Sequence, residues 1–196
     1  AFLGTKLRTR NLLVTYHPVT LGTKSASVQM NEILFALSTL VDTLLIFTMP
    51  NADNDGRLIM NMINDFVKTH ENAYAFTSLG QLRYLSAIKY FDGVVGNSSS
   101  GIAEVPSFNK GTINIGERQK GRLMADSVIN CEPDRDDILS AIQILYSDKF
   151  NECLPNVRNP YGNGGATNRI VEVIKNAKLD GIEKKQFYNL SLGTHE

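Results

Sequence analysis

The sequence predicts an α/β domain with a doubly wound parallel sheet and helices on both faces. Two observations support this prediction. Short apolar runs with the composition of β-strands alternate with longer runs of helical period along most of the chain. The short runs are apolar almost throughout, which is typical of strands that are buried on both faces of a parallel sheet. At 196 residues, the chain is long enough for one such domain and a tail.

Six segments have the composition of buried strands. The first of them, Asn11–Tyr16, has three consecutive aliphatic residues, and the second ends just before Met49 and Pro50, where proline removes a ladder hydrogen bond. In chain order, the predicted strands are Asn11–Tyr16, Thr43–Thr48, Ala73–Thr77, Gly93–Gly96, Thr112–Ile115 and Ser127–Cys131.

Helical stretches, with apolar residues at 3.6-residue spacing, follow most of these strands. The predicted helices are Ser27–Val41, Arg57–Thr69, Gln81–Tyr90, Gly101–Ser107, Arg135–Tyr146 and Ala166–Lys178. We therefore predict a Rossmann-like domain over residues 1–178 and a polar C-terminal tail over residues 179–196, where periodicity is poor.

Composition narrows the classes of partner. Twenty basic residues balance twenty acidic ones, so no overall field attracts nucleic acid or an anionic membrane, and we expect neither as a partner. No signal peptide and no apolar run of about 18 residues is present, which predicts a cytoplasmic protein without a membrane span. The GxGxxG and GxxxxGK[ST] fingerprints are missing, and Cys131 and Cys153 are isolated. We therefore predict neither a cofactor nor a metal.

The loops that follow the strands contain the candidate site residues, because ligands of open α/β sheets lie beyond the carboxyl ends of the strands. His17 stands at the end of the first strand. A histidine there is a candidate for phosphate contact or proton transfer, and the alternative is a structural role. Asn51 follows the second strand, where the alternative to ligand binding is a turn or helix cap.

The strongest local signal is the segment Asn97–Glu104 (NSSSGIAE) after the fourth strand. Hydroxyls and backbone N–H groups at a strand-to-helix turn hold phosphate well, and the alternative is a serine-rich helix cap. Glu104 lies one turn into the predicted helix, where a phosphate would repel its carboxylate. We therefore predict that Glu104 accepts the hydroxyl protons of a ribose beside the phosphates.

A basic loop, Gly116–Arg122 (GERQKGR), follows the fifth strand and has three cations and two glycines. Such a loop either stays solvated or folds over a diphosphate with bidentate arginine contacts. Its place at a strand end, on the same predicted rim as the serines, favours neither alternative by itself.

Three of these loops together resemble the C-terminal domain of the UDP-N-acetylglucosamine 2-epimerases. The motifs are Val14–Thr20 (VTYHPVT), Gly96–Glu104 (GNSSSGIAE) and Asn114–Arg122 (NIGERQKGR), and the resemblance runs from Asn11 to Lys178. It implies that the chain is the C-terminal half of a B-type glycosyltransferase architecture. The His-Pro-Val-Thr of the first motif is similar to the hydrolysing branch of the family, whereas the non-hydrolysing branch usually has His-Arg-Arg there.

The same resemblance implies roles for individual residues. It gives one catalytic candidate near the diphosphate and the reacting sugar, His17, and six residues that bind the substrate: Asn51 in the cleft, Ser98, Ser99 and Gly101 at the phosphates, Glu104 at the ribose, and Arg118 facing the phosphates.

The reaction that the resemblance implies is elimination of UDP from UDP-N-acetylglucosamine, then hydration of the glycal to N-acetylmannosamine for sialic acid synthesis. The family's acidic catalytic residues belong to an N-terminal domain that we expect to lie outside this chain, so the fragment alone should be inactive. Its partners are then the UDP-sugar and that domain, and we expect the full-length protein to be a homo-oligomer.

Three alternatives remain at this stage. The chain is the donor-binding domain of a nucleotide-sugar glycosyltransferase, or a non-catalytic nucleotide-binding module, or it acts on a 2,4-diacetamido sugar carried by UDP or GDP.

Overall fold

A computed structural model describes residues 3–19, 25–51, 54–181, 183 and 184. Thr20, at the end of the first motif, and residues 182 and 185–196 of the predicted tail lie outside the described residues. The chain forms two compact units, Ala1–Gly162 and Asn163–Glu196.

The first unit contains a sheet of six parallel strands, which confirms the predicted fold class. The strands are β1 (Arg10–Thr15), β2 (Thr43–Thr48), β3 (Ala73–Phe76), β4 (Gly93–Gly96), β5 (Gly111–Ile115) and β6 (Val128–Cys131). Their order in the sheet is β3-β2-β1-β4-β5-β6. The order reverses between β1 and β4, which is where doubly wound sheets form their ligand crevice.

Helices connect these strands. The helices of the first unit are α1 (Ala26–Ser38), α2 (Asn54–Thr69), α3 (Gly80–Tyr90), α4 (Ser100–Ala103), α5 (Arg135–Leu145) and α6 (Asp148–Cys153). The short helix α6 was not predicted. It has no apolar period, and it begins where the Ser147 hydroxyl accepts a hydrogen bond from the Phe150 amide at 3.3 Å.

One predicted helix is wrong in form. The segment Gly101–Ser107 is not a continuous helix: α4 ends at Ala103, and a 3-10 helix follows at Val105–Phe108. Pro106 explains the break, because proline has no N–H to continue the hydrogen-bond ladder of an α-helix and its ring clashes with the preceding turn.

The core has two layers because the strands are buried on both faces. Leu12 and Val14 of β1 point into one apolar cluster, which also contains residues of α1, α2 and α5. Leu13 points to the other side, into a cluster that contains residues of α3. All three side chains are buried to 1% exposure or less. Burial of each side chain is worth about 1.5–3 kcal/mol, so the alternation fixes which side chains face each layer of the core.

The second unit contains helix α7 (Ala166–Asn176), close to the predicted Ala166–Lys178. Gly165 precedes it with a positive φ of 71°. Among the described helices of both units, none is long and apolar enough to cross a membrane.

Candidate functional site

The carboxyl ends of β1, β2, β4 and β5 lie in line. Thr15, the last residue of β1, is paired with Thr48 of β2 and with Gly96 of β4, and Gly96 is paired with Asn114 of β5. The loops after these strands therefore leave the sheet at one edge, which we call the rim. All of the predicted site residues follow strands of this rim.

Gly96 allows β4 to end very close to β1. Its φ is 137°, and a Cβ atom at this position would lie 1.9 Å from the carbonyl oxygen of Thr15. Only glycine fits there, because any side chain would collide with the backbone of the neighbouring strand. The chain consequently enters the turn that contains Ser98, Ser99 and Ser100 directly above the end of β1. We call this segment the serine turn.

Asn97 joins the three motifs and is fully buried. Its side-chain oxygen accepts the His17 amide at 2.8 Å, and its Nδ2 donates to the His17 carbonyl oxygen at 2.8 Å. Its own backbone carbonyl oxygen accepts the Arg118 guanidinium at 3.0 Å and the Gln119 side-chain amide at 2.8 Å. One residue thus holds the His17 loop, the serine turn and the basic loop together.

Arg118 is the cation of the basic loop that is anchored toward the rim. The other two cations bond within the loop: Lys120 forms an ion pair with Glu117, and Arg122 donates to the Gln119 side-chain oxygen at 2.8 Å. Arg118 is exposed apart from its bond to Asn97. A guanidinium has five N–H donors, so this single bond orients Arg118 without consuming its capacity for an anion.

The serine turn presents hydroxyls at the surface. Ser99 is exposed, and Ser98 is half-buried, with its hydroxyl accepting the Ser100 amide at 3.4 Å. Because α4 has only four residues, its dipole is small and would contribute little to holding an anion. The groups at this turn that are suited to bind phosphate are the local hydroxyls and amides and the Arg118 guanidinium.

Gly101 has a packing role. It is buried, and a Cβ atom on it would lie 2.7 Å from a methyl carbon of Thr112 on β5. The Thr112 hydroxyl donates to the Gly101 carbonyl oxygen at 2.7 Å. Glycine here brings the serine turn onto the sheet, which is an indirect contribution to the site.

Glu104 is exposed at the end of α4, and one of its carboxylate oxygens accepts the Ser100 hydroxyl at 2.5 Å. This bond fixes the side chain across one helical turn. Glu104 also borders a cavity of about 420 Å³ on the side of β1 and β2. The carboxylate therefore stands between the serine turn and the cavity.

That cavity is formed by the rim and by the start of α3. Its lining residues are Thr15, His17, Thr48, Met49, Thr77, Ser78, Leu79, Gly80, Gln81, Tyr84, Leu85 and Glu104. The floor is fixed by a hydrogen bond of 2.5 Å between the hydroxyls of Thr15 and Thr48. Burial raises the pKa of Tyr84, and the Glu104 carboxylate adds to that rise, so the phenol is neutral at physiological pH.

Of the seven predicted site residues, the cavity is bordered by His17 and Glu104, and Asn51 lies neither at the cavity nor in the serine turn or the basic loop. It is exposed, three positions beyond the end of β2, and residues 52 and 53 beside it are outside the described part of the chain. Met49 borders the cavity in its place.

Four residues of the site were not predicted: Asn97, Thr15, Thr48 and Tyr84. Asn97 stands inside a quoted motif, and its position directly after a strand was an available signal. Thr48 is the last residue of its predicted strand, which was equally visible, whereas the first strand was predicted to run one residue beyond Thr15, to Tyr16. Tyr84 lies within α3, and only the path of that helix past β1 reveals it.

Most of the chain is similar in sequence to proteins of one family. The family model described as UDP-N-acetylglucosamine 2-epimerase matches residues 2–175. The chain is 41% identical over 190 residues to a GDP/UDP-N,N'-diacetylbacillosamine 2-epimerase (hydrolyzing) of Campylobacter jejuni subsp. jejuni serotype O:2, covering 96% of this chain and 49% of the relative. It is 38% identical over 183 residues to the polysialic acid biosynthesis protein P7 of Escherichia coli, covering 92% of this chain and 46% of the relative.

Two solved structures share the fold. S. aureus MnaA, in a co-structure with UDP, superposes with a TM-score of 0.66 at 20% identity, covering 85% of this chain and 44% of that one. The UDP-GlcNAc 2-epimerase of Neisseria meningitidis, bound to UDP-GlcNAc, superposes with a TM-score of 0.65 at 16% identity, covering 87% of this chain and 45% of that one.

The chain spans about half the length of the curated relatives it matches. The family model covers most of the chain, and the Campylobacter relative exceeds 40% identity over nearly all of it. This chain belongs to the UDP-N-acetylglucosamine 2-epimerase family.

Proposed function

We propose that this chain is the UDP-binding half of a hydrolysing UDP-N-acetylglucosamine 2-epimerase, which releases UDP and N-acetylmannosamine for sialic acid synthesis. The observation that carries the proposal is the position of Asn97. Through its hydrogen bonds, a cation, a turn of serine hydroxyls and the His17 loop meet at one rim. A nucleoside diphosphate needs these groups in this proximity.

The assignment of ligand groups follows the order of residues along the rim. The diphosphate lies over the serine turn, where Ser98 and Ser99 donate hydroxyl protons and Arg118 supplies positive charge. The ribose lies beside Glu104, whose carboxylate is suited to accept two hydroxyl protons. The reacting sugar lies on the other side of the diphosphate from the ribose, near His17.

The reaction consists of two steps in this proposal. A base removes the proton from C2 of the sugar, the C1–O bond breaks, and UDP leaves with the bonding electrons, so a glycal remains. Water then adds across the C1–C2 double bond, with hydroxyl on C1 and a proton on C2 from the opposite face, which inverts C2.

This chain contributes to the departure of UDP. Negative charge grows on the β-phosphate as the C1–O bond breaks, and donors that are already oriented stabilise that charge more than the ground state. Arg118 is held in place by the Asn97 carbonyl oxygen before any ligand binds. The rim therefore acts as a preorganised electrostatic site for the leaving group.

The base for C2 has to approach the sugar from its other side. We propose that it belongs to an N-terminal domain, since the relatives are about twice as long as this chain. With half of the cleft supplied elsewhere, we expect the isolated chain to bind UDP weakly and not to turn over.

Isothermal titration of the isolated chain with UDP tests the proposal. We expect a high-micromolar to millimolar Kd, on the order of −4 to −6 kcal/mol. The Arg118→Ala variant should weaken UDP binding further. Asn151→Ala, which removes a side-chain amide between α5 and α6, should leave the Kd for UDP unchanged. Release of N-acetylmannosamine by the isolated chain would contradict the half-enzyme proposal.

A second candidate substrate is favoured by the Campylobacter relative, whose name specifies a diacetamido sugar on GDP or UDP. UDP release by the full-length enzyme should be compared between UDP-N-acetylglucosamine and UDP-N,N'-diacetylbacillosamine, and the isolated chain should be titrated with GDP beside UDP. The substrate with the higher kcat/KM is the natural one.

The remaining alternatives give different results in the same assay. A glycosyltransferase consumes UDP-sugar only when an acceptor is present, and a non-catalytic module does not consume it at all. Family membership favours the epimerase, which needs water alone.

A further inference from the structure

A turn at Asn159–Gly162, far from the rim residues in sequence, contacts both of the segments that we assign to UDP. The Asn159 side chain uses both of its N–H donors and its oxygen there. Its oxygen accepts the Tyr161 amide at 2.9 Å, and its Nδ2 donates to the Ala103 carbonyl oxygen and to the Ser107 hydroxyl, each at 2.7 Å. We call this segment the Asn159 turn.

The first contact fixes the serine turn from behind. Ala103 is the last residue of α4 and directly precedes Glu104, and Ser107 belongs to the 3-10 helix that follows. A helix of four residues has almost no internal hydrogen bonding to hold it. The two bonds from Asn159 therefore determine how α4 is seated.

The second contact fixes the basic loop. The Tyr161 hydroxyl donates to the Leu123 carbonyl oxygen at 3.1 Å, just after Arg122. The near end of the loop is already fixed by the bond from Arg118 to Asn97. Tyr161 holds the chain at the far end, so the loop is attached at Arg118 and again just after Arg122.

Attachment at both ends matters because the loop is otherwise easy to deform. Gly116 and Gly121 have positive φ values of 73° and 81°, and glycines widen the range of conformations that a free loop would sample. Ordering a residue costs about 1–2 kcal/mol of conformational entropy. A loop that is ordered before the ligand arrives removes that cost from binding.

We propose that Asn159 and Tyr161 are positioning residues for the diphosphate. They set the distance between the serine hydroxyls and the Arg118 guanidinium, although neither needs to touch the ligand. This inference rests on the proposed function, since it assumes that the diphosphate lies between these two segments.

NMR titration of the isolated chain with UDP and with uridine tests it. We expect Asn159→Ala to raise the Kd for UDP about fivefold to tenfold and Tyr161→Phe about twofold to threefold, the range for one or two ordinary hydrogen bonds. The Kd for uridine should not change, because uridine lacks the phosphates. Exchange broadening of the amides between Gly116 and Leu123 should increase in both variants.

Asn151→Ala is the matched control, since it also removes an asparagine amide with two donated hydrogen bonds, to the carbonyl oxygens of Leu145 and Ser147. It should lower the melting temperature by a similar amount and leave both Kd values unchanged. Tyr161→Phe keeps the ring and removes only the hydroxyl, so it reports on the loop even if Asn159→Ala folds poorly.

Three results would overturn the inference. The first is an unchanged Kd for UDP in Asn159→Ala and Tyr161→Phe while Arg118→Ala raises it. The second is an equal rise in the Kd values for UDP and uridine. The third is an equal rise in the Kd for UDP in Asn151→Ala. If Arg118→Ala itself leaves the Kd for UDP unchanged, the proposed diphosphate site fails first, and the role of the Asn159 turn fails with it.

Discussion

The two ends of the β1–β4 strand pair use the same device for different purposes. At the amino end, Asn11 exchanges two hydrogen bonds of 2.9 Å with the backbone of Arg8. At the carboxyl end, Asn97 exchanges two hydrogen bonds of 2.8 Å with the backbone of His17. Both asparagines are buried, and both attach a loop to the end of a strand.

The surroundings of the two asparagines differ. At the amino end, the Asp92 carboxylate accepts hydrogen bonds from the backbone amide of Asn11 at 2.6 Å and from the Tyr146 hydroxyl at 3.4 Å. The Arg10 guanidinium lies 4.3 Å from the centre of the Tyr146 ring. Those charged and polar groups are engaged with one another. At the carboxyl end, the groups around Asn97 are exposed hydroxyls, a carboxylate and a guanidinium. A buried polar residue stabilises either end, and the end suited to bind a ligand is the one where the Arg118 guanidinium keeps donors beyond its bond to Asn97.

Replacement of the two asparagines gives the largest expected effects. Asn97→Ala removes both hydrogen bonds between the Asn97 side chain and the His17 backbone, and each such bond is worth about 0.5–1.5 kcal/mol, so we expect up to about 3 kcal/mol less free energy of unfolding. UDP binding should be lost at the same time, because the His17 loop is no longer held beside the serine turn. Urea unfolding and titration with UDP measure the two quantities.

Asn11→Ala is the counterpart at the amino end. We expect a comparable loss in the free energy of unfolding and, below the unfolding transition, an unchanged Kd for UDP. If both variants weaken UDP binding to the same extent, the functional distinction between the two ends is wrong.

The next largest expected effect is on UDP binding, after removal of the Arg118 guanidinium or the Ser98 hydroxyl at the rim. In the full-length enzyme, Arg118→Ala and Ser98→Ala should each weaken UDP binding by about 1–3 kcal/mol, the range for hydrogen bonds to charged groups. Arg10→Ala removes an arginine at the opposite end, where it lies over Tyr146, and should leave UDP binding unchanged. Calorimetric titration of the three variants gives the comparison, and unchanged binding in the first two would remove both residues from the site.

The sequence predicted the strands of the rim better than the contacts across it. Strand β2 was predicted to the residue, because burial on both faces requires an apolar run that is visible locally. Helix α4 was predicted too long, although Pro106 was there to end it. The Asn97 hub could not be predicted, since its partners His17 and Arg118 are 80 and 21 positions away in the chain. A residue type after a strand suggests a site, but only the sheet order determines which loops meet.

A smaller effect tests the ribose assignment. Glu104→Gln keeps the size of the side chain and replaces one acceptor oxygen by a donor, so it should lose about 1–2 kcal/mol of hydrogen bonding to ribose hydroxyls. The phosphates should still bind. In a competition experiment, UDP should then no longer displace pyrophosphate more effectively than pyrophosphate displaces itself, and a variant that retains this preference contradicts the assignment.

The last effect appears only at alkaline pH and compares a tyrosine at each end. Burial raises the pKa of Tyr16, near the rim, from 10.0 to about 12, and burial together with the Asp92 carboxylate raises the pKa of Tyr146 at the amino end. A raised pKa means that the tyrosine hydroxyl keeps its proton to a higher pH in the folded protein than in the unfolded chain. The stabilisation is therefore complete below pH 10 and is lost as the pH rises above 10, by about 1.4 kcal/mol per pH unit for each tyrosine. In urea unfolding at pH 8 to 12, Tyr16→Phe and Tyr146→Phe should each flatten this decline, because phenylalanine has no proton to lose. An identical decline in the wild type and both variants would show that neither hydroxyl is linked to folding, and that the two ends do not share this device.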